Sequence, residues 1–69
     1  MDKDKEVIKA AAEAQRTVSF TYRGVTRHVE LEVFTDGTGT EHSFITGWDT
    51  DRGAYRRFSI RPIEDFVVL

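Results

Sequence analysis

The chain has 69 residues, no cysteine and a formal net charge of −2. That length holds one domain with a small core, in which folding buries only about 60% of the surface an unfolded chain exposes, and the missing thiols exclude disulfides and thiolate metal sites. The charge balance excludes a global attraction to nucleic acid or to an anionic membrane, and the 39% hydrophobic content, with no apolar run of membrane-spanning length, argues against both disorder and a transmembrane segment.

The first residues, MDKDKEV, carry both signs of charge and lead into a helix pattern instead of the apolar stretch of a signal peptide, so the expected location is cytoplasmic. Asp2 or Asp4 can cap the helix start. Val7, Ile8, Ala11, Ala12 and Ala14 then recur at helical spacing, predicting a helix over about 3–15 whose small residues let it lie close to a sheet. From Thr17 the period changes to two. Val18, Phe20 and Tyr22 alternate with polar residues as in a half-buried strand, and Arg23-Gly24 marks a tight turn. The next strand carries Val25, Val29, Leu31 and Val33 on one face and Thr26, His28, Glu30 and Glu32 on the other. Arg27 shares parity with the apolar set, which puts it at a rim or against something that needs a cation.

Asp36-Gly37-Thr38-Gly39-Thr40 reads as a turn into the central feature of the chain, a hairpin within Glu41–Ile63. His42 to Asp49 rises, Thr50-Asp51-Arg52-Gly53 reverses the chain, and Ala54 to Ile60 returns. On the rising strand His42, Phe44, Thr46 and Trp48 share one face, and Ser43, Ile45 and Gly47 the other; on the returning strand Arg56, Phe58 and Ile60 oppose Tyr55, Arg57 and Ser59. Arg61-Pro62-Ile63-Glu64-Asp65 fits a connecting turn, because Pro62 has no N–H for a sheet ladder, and Phe66 to Leu69 make a terminal strand. One helix and five short strands in so short a chain predict a mainly β, α+β fold: an N-terminal helix over a five-stranded SH3-like or Sm-like barrel spanning about 17–69.

Chemistry-bearing residues are few. His28 and His42 lack the spacing of a metal site, and Glu30/Glu32 and Asp49/Asp51 read as solvated or turn carboxylates, not an acid–base pair. No nucleophile elbow and no glycine-rich phosphate loop occurs. The arginines stand out: every basic residue from position 16 onward is Arg, either from coding preference or because a planar fork suits carboxylate and phosphate. Tyr22, Phe44 and Trp48 are candidates to stack on a planar ring, and Arg27, Arg56 and Arg61 to hold phosphate, against the plainer reading that the aromatics are core. Arg56 is the sharpest candidate, since it lies on the parity of Phe58 and Ile60 and a guanidinium there needs a partner.

AAAEAQRTVSFTYRGVTRHVELEV, HSFITGWD and YRRFSIRPIEDFVVL together resemble the WYL domain family over nearly the whole chain. Tyr22 matches the Tyr ending the family's first strand, Arg27 and Val29 its Arg-Val stretch, Arg56 and Phe58 its R-x-F, and Ile63 the last residue of its D-R-I. Ser43-Phe44-Ile45 stands in place of Trp-Tyr-Leu, Leu31 in place of a strand Pro, and Arg61-Pro62-Ile63 in place of D-R-I. The resemblance implies a single WYL-like domain over 1–69 with an Sm-like barrel. It also implies a non-enzymatic, ligand-sensing role in bacterial transcription or phage-defence regulation. The implied partner is a nucleotide or single-stranded nucleic acid; joined to the residue reading above, this gives a site of Tyr22, Arg27, Phe44, Trp48, Arg56 and Arg61 for such a ligand or another anion, with no cofactor expected. The alternative is a protein-interaction module or homo-oligomer that uses exposed barrel edges. An enzyme is the least supported reading, for want of a nucleophile paired with a base.

Overall fold

The structure is a computed structural model and describes residues 2–38 and 42–69, with side chains from Lys5 onward. The capping side chains of Asp2 and Asp4, the Gly39-Thr40 half of the expected turn, and Glu41 lie outside the described residues. The elements are α1 (Asp2–Glu13), β1 (Thr17–Tyr22), β2 (Val25–Thr35), β3 (Phe44–Asp49), β4 (Ala54–Ser59) and β5 (Ile63–Val68). α1 ends two residues before the sequence pattern does. Gln15 adopts a left-handed φ of 53°, and the Arg16 N–H returns to the Ala11 carbonyl at 2.9 Å. Arg23 and Gly24 both have positive φ in the β1–β2 turn, as a two-residue hairpin with right-handed strand twist requires.

The five strands form one antiparallel sheet in the order β4-β3-β2-β1-β5. It does not close into the small barrel expected from the chain length: β4 and β5 are its two edges. It is nonetheless rolled. β1 and β4 stand three strand spacings apart, about 14 Å in a flat sheet, yet the Phe20 and Phe58 rings are 5.2 Å apart and those of Tyr22 and Phe58 5.1 Å. The Tyr22 hydroxyl accepts the backbone N–H of Ser59 at 3.3 Å, so a side chain of β1 takes a donor on β4 that a closing strand would otherwise use.

Inside the roll lie Val18, Phe20, Val29, Leu31, Ile45, Phe58 and Ile60, covered by Ile8, Ala11 and Ala12 of α1. Each large apolar side chain buried there contributes about 1.5–3 kcal/mol. At the start of the helix Lys5 reaches Asp36 at 2.8 Å, and the buried Ser43 hydroxyl donates to the same carboxylate. The Lys5 and Ser43 hydrogen bonds hold the Asp36 carboxyl below its ordinary range. Their contribution to stability is therefore present above the unfolded value and is lost as pH falls through the folded one.

Two bulges correct the sequence pattern. Leu31 faces Gly47 and Val33 faces Thr46, so Glu32 is an extra residue on β2. Val33, expected among the apolar set, is consequently exposed, and Phe34 takes the core-facing position against Ile45. On β5, Asp65 (φ 54°) and Phe66 together oppose Phe20, which brings Phe66 against the core. That strand begins at Ile63, not Phe66, because the connecting turn needs only Ile60–Pro62, closed by the Ile63 N–H on the Ile60 carbonyl.

Gly47 is where the first bulge meets β3. A Cβ there would fall against the Glu30 carbonyl oxygen and 2.8 Å from Val29 Cγ1. Gly47→Ala should therefore lower stability by about 2 kcal/mol or more, since backbone must move to admit the methyl. Urea denaturation of the two proteins side by side measures the loss, and an unchanged midpoint would contradict the packing described.

Candidate functional site

The chemistry of the molecule concentrates at the end of the roll where both hairpin turns lie. Asp49 closes β3 opposite Val29 and Ala54, on the same face as Ile45 and Gly47. Its side chain is 0% exposed. A carboxylate removed from water must have its oxygens satisfied, and each oxygen has a separate set of partners. Oδ1 accepts the backbone N–H groups of Asp51 at 3.1 Å and Arg52 at 3.3 Å, which fixes the reversal. The turn is completed by the Gly53 N–H on the Asp49 carbonyl at 2.8 Å, with Gly53 at a φ of 62°. Oδ2 faces three guanidiniums: Arg27 at 3.3 Å, Arg52 at 3.8 Å and Arg56 at 3.8 Å.

The three cations differ in burial. Arg27 is 13% exposed, whereas Arg52 and Arg56 are 38% and 46% exposed. The Arg27 guanidinium lies 5.5 Å from the centre of the Phe58 ring and 6.0 Å from that of Tyr22, a cation–π arrangement inside the roll. Its Nε is buried without a hydrogen-bond partner among the described residues. Arg56 pairs with Gly47 in the register, and Gly47 has no side chain to stand between Arg56 and Asp49. Arg23, in the β1–β2 turn, lies 5.6 Å from the other ring contact of the site, Tyr22. The cluster therefore holds one carboxylate against three guanidiniums, in a molecule whose overall charge is negative.

Of the residues singled out from the sequence, Tyr22, Arg27 and Arg56 come together here. Phe44 and Trp48 do not, because strand alternation puts them on the outer face of the sheet. There the Arg57 guanidinium covers Phe44 at 4.7 Å, and Trp48 packs edge-on against Tyr55 at 5.0 Å. Glu30 faces Trp48 in the register, and the Tyr55 phenol hydrogen-bonds Glu32, which pushes its ionisation above the ordinary tyrosine value. Carboxylates thus flank Trp48 and Tyr55, while the cation on that face, Arg57, lies on Phe44. Arg61 lies exposed in the β4–β5 turn, beyond the other end of β4 from Asp49.

His28 Nδ1 sits 2.8 Å from Asp51 Oδ2, also on the outer side, so the Asp49 and Asp51 carboxylates diverge and share no pocket. Among the described residues no group of three or more His, Cys, Asp or Glu could hold a metal ion, and no helix is long and apolar enough to cross a membrane. The sequence marks Asp49 as a turn residue, and the turn bonds are present. Its burial and its place at the centre of the cluster are not expected of a turn carboxylate. One more step of the alternation through Ser43, Ile45 and Gly47 lands on Asp49, the signal that would have put a carboxylate on the apolar face.

The fold and site thus define a small α+β domain built around a buried carboxylate–arginine cluster. Comparison with protein-family models, with curated proteins and with solved structures finds no match to this chain.

Because Arg27 is buried against Asp49, Asp49→Asn should lower stability by about 3 kcal/mol, the usual cost of stranding a buried charge. Arg52→Gln and Arg56→Gln should each cost less than about 1 kcal/mol, since both side chains are screened by solvent. Urea denaturation of the three variants checks the ranking, and equal losses would mean that the cluster is held together differently.

Proposed function

We propose that this domain is a non-enzymatic module that binds an anionic ligand at the Arg27, Arg52 and Arg56 cluster. One observation carries the reading: three guanidiniums converge on a single carboxylate oxygen, and the two outer ones are more than one-third exposed and 3.8 Å from it. At that distance neither forms a hydrogen bond to Asp49, so their forks keep donor capacity for a phosphate or carboxylate. Arg27 and Asp49 supply the rigid floor, and Tyr22 is the aromatic beside it to which a base would pack. A nucleotide or single-stranded nucleic acid is the proposed class of ligand. The same role, in transcription or phage-defence regulation, follows from the resemblance to WYL domains.

The test is a titration with nucleotides, short oligonucleotides and polyphosphate at low salt, followed by NMR of the amide and Arg side-chain N–H groups. Shifts should centre on Arg27, Arg52 and Arg56 and fade as salt is raised, because phosphate contacts release counterions. Arg56→Lys should keep the fold and weaken binding by about fivefold to tenfold, as an ammonium lacks the bidentate fork. The absence of any shift with all of these anions would sink the reading. So would an Arg56→Lys protein that unfolds while the remaining folded fraction binds unchanged.

An assembly role is favoured by one separate observation. β5 is an open edge that ends in exposed, apolar Val67 and Val68, with exposed Leu69 following it. If that edge pairs with another copy, light scattering should show a concentration-dependent dimer or ring that Arg56→Ala leaves intact. A monomer at all concentrations removes self-assembly from consideration.

A further inference from the structure

We infer that the arginine cluster selects a terminal phosphate monoester over an internal phosphodiester. This inference rests on the anion-binding reading above and narrows its ligand. The charges within reach of the site are Arg27, Arg52 and Arg56 against Asp49, which leaves two positive charges uncompensated. Arg23 beside Tyr22 adds to the same sign. Asp51, whose amide bonds Asp49, turns its own carboxylate to His28 on the outer side, away from Oδ2.

Nor can Asp49 absorb the excess by moving. Its Oδ1 is committed to two backbone N–H groups and its Oδ2 to Arg27, the most buried of the three cations. Arg52 and Arg56 are the ones able to turn toward a ligand, each from a contact of 3.8 Å that is an ion pair but not a hydrogen bond. Two forks offer four donors in parallel pairs. A phosphodiester presents one charge and two unesterified oxygens. A phosphate monoester presents close to two charges at neutral pH and three such oxygens, which matches both the residual charge and the donors.

Thymidine 5′-monophosphate and its 5′-methyl ester differ by this one charge and share base and sugar. Calorimetric titration of each into the full chain at pH 7.5 and low salt compares them directly, with NMR to locate the bound phosphate. The monophosphate should bind at least about tenfold more tightly, the worth of one more charge-assisted hydrogen bond. That ratio should fall toward one in Arg52→Gln and in Arg56→Gln, with thermal unfolding confirming that both variants remain folded. Equal affinities with shifts at Arg52 and Arg56 would overturn the monoester selection and leave the anion-binding reading standing. Binding of the oligonucleotides alone, with neither mononucleotide, would also overturn it. Silence toward every anion would overturn both.

Discussion

The Asp49 carboxylate is the constraint on which this end of the molecule depends. It is fully buried, and a buried carboxylate is tolerated only when both oxygens are satisfied. Oδ1 closes the β3–β4 turn through the Asp51 and Arg52 amides, and Oδ2 gathers Arg27, Arg52 and Arg56. One group thus sets the shape of a hairpin and the position of three cations. Arg27, held by Asp49 at one end, carries its guanidinium between Phe58 and Tyr22, so the ion pair is also part of the packing of the roll.

That roll is the second determinant. A five-stranded sheet can hide its core by closing on itself or by accepting a helix on its concave side. Here α1 covers the core from one side, and aromatic contacts between β1 and β4 draw the sheet round. The Tyr22 hydroxyl bonds the backbone of β4 across the interior. Curvature is therefore obtained without β4–β5 pairing, and the two bulges, at Glu32 and at Asp65, add local bending to strands β2 and β5. Two strand edges stay open as a consequence.

Alternation in β3 and β4 separates the chemistry into two faces. The interior end of the roll is cationic around Arg27, Arg52 and Arg56; the outer face sets Glu30 and Glu32 beside Trp48 and Tyr55. The overall charge of −2 conceals this division. The outer face is itself mixed, since the Arg57 guanidinium lies on Phe44 there, so the sign of the local field changes from one patch of the small surface to the next.

Much of the fold was legible along the chain. The helical spacing of Ile8, Ala11 and Ala12, the alternation of Val18, Phe20 and Tyr22, and the Arg23-Gly24 and Thr50–Gly53 reversals all mark structures that form from local preferences. The parity of Arg27 and Arg56 with apolar neighbours correctly placed both on the inner face. Tertiary structure alone decided that they meet at Asp49 and that Trp48 and Phe44 lie elsewhere. Tertiary structure also decided that Phe34 replaces Val33 in the core and that the sheet stops short of closure. The reason is the range of the signal. A period of two tells which side of its own strand a residue occupies, but which residue it faces depends on register, bulges and curvature, and those are set by packing between strands distant in sequence.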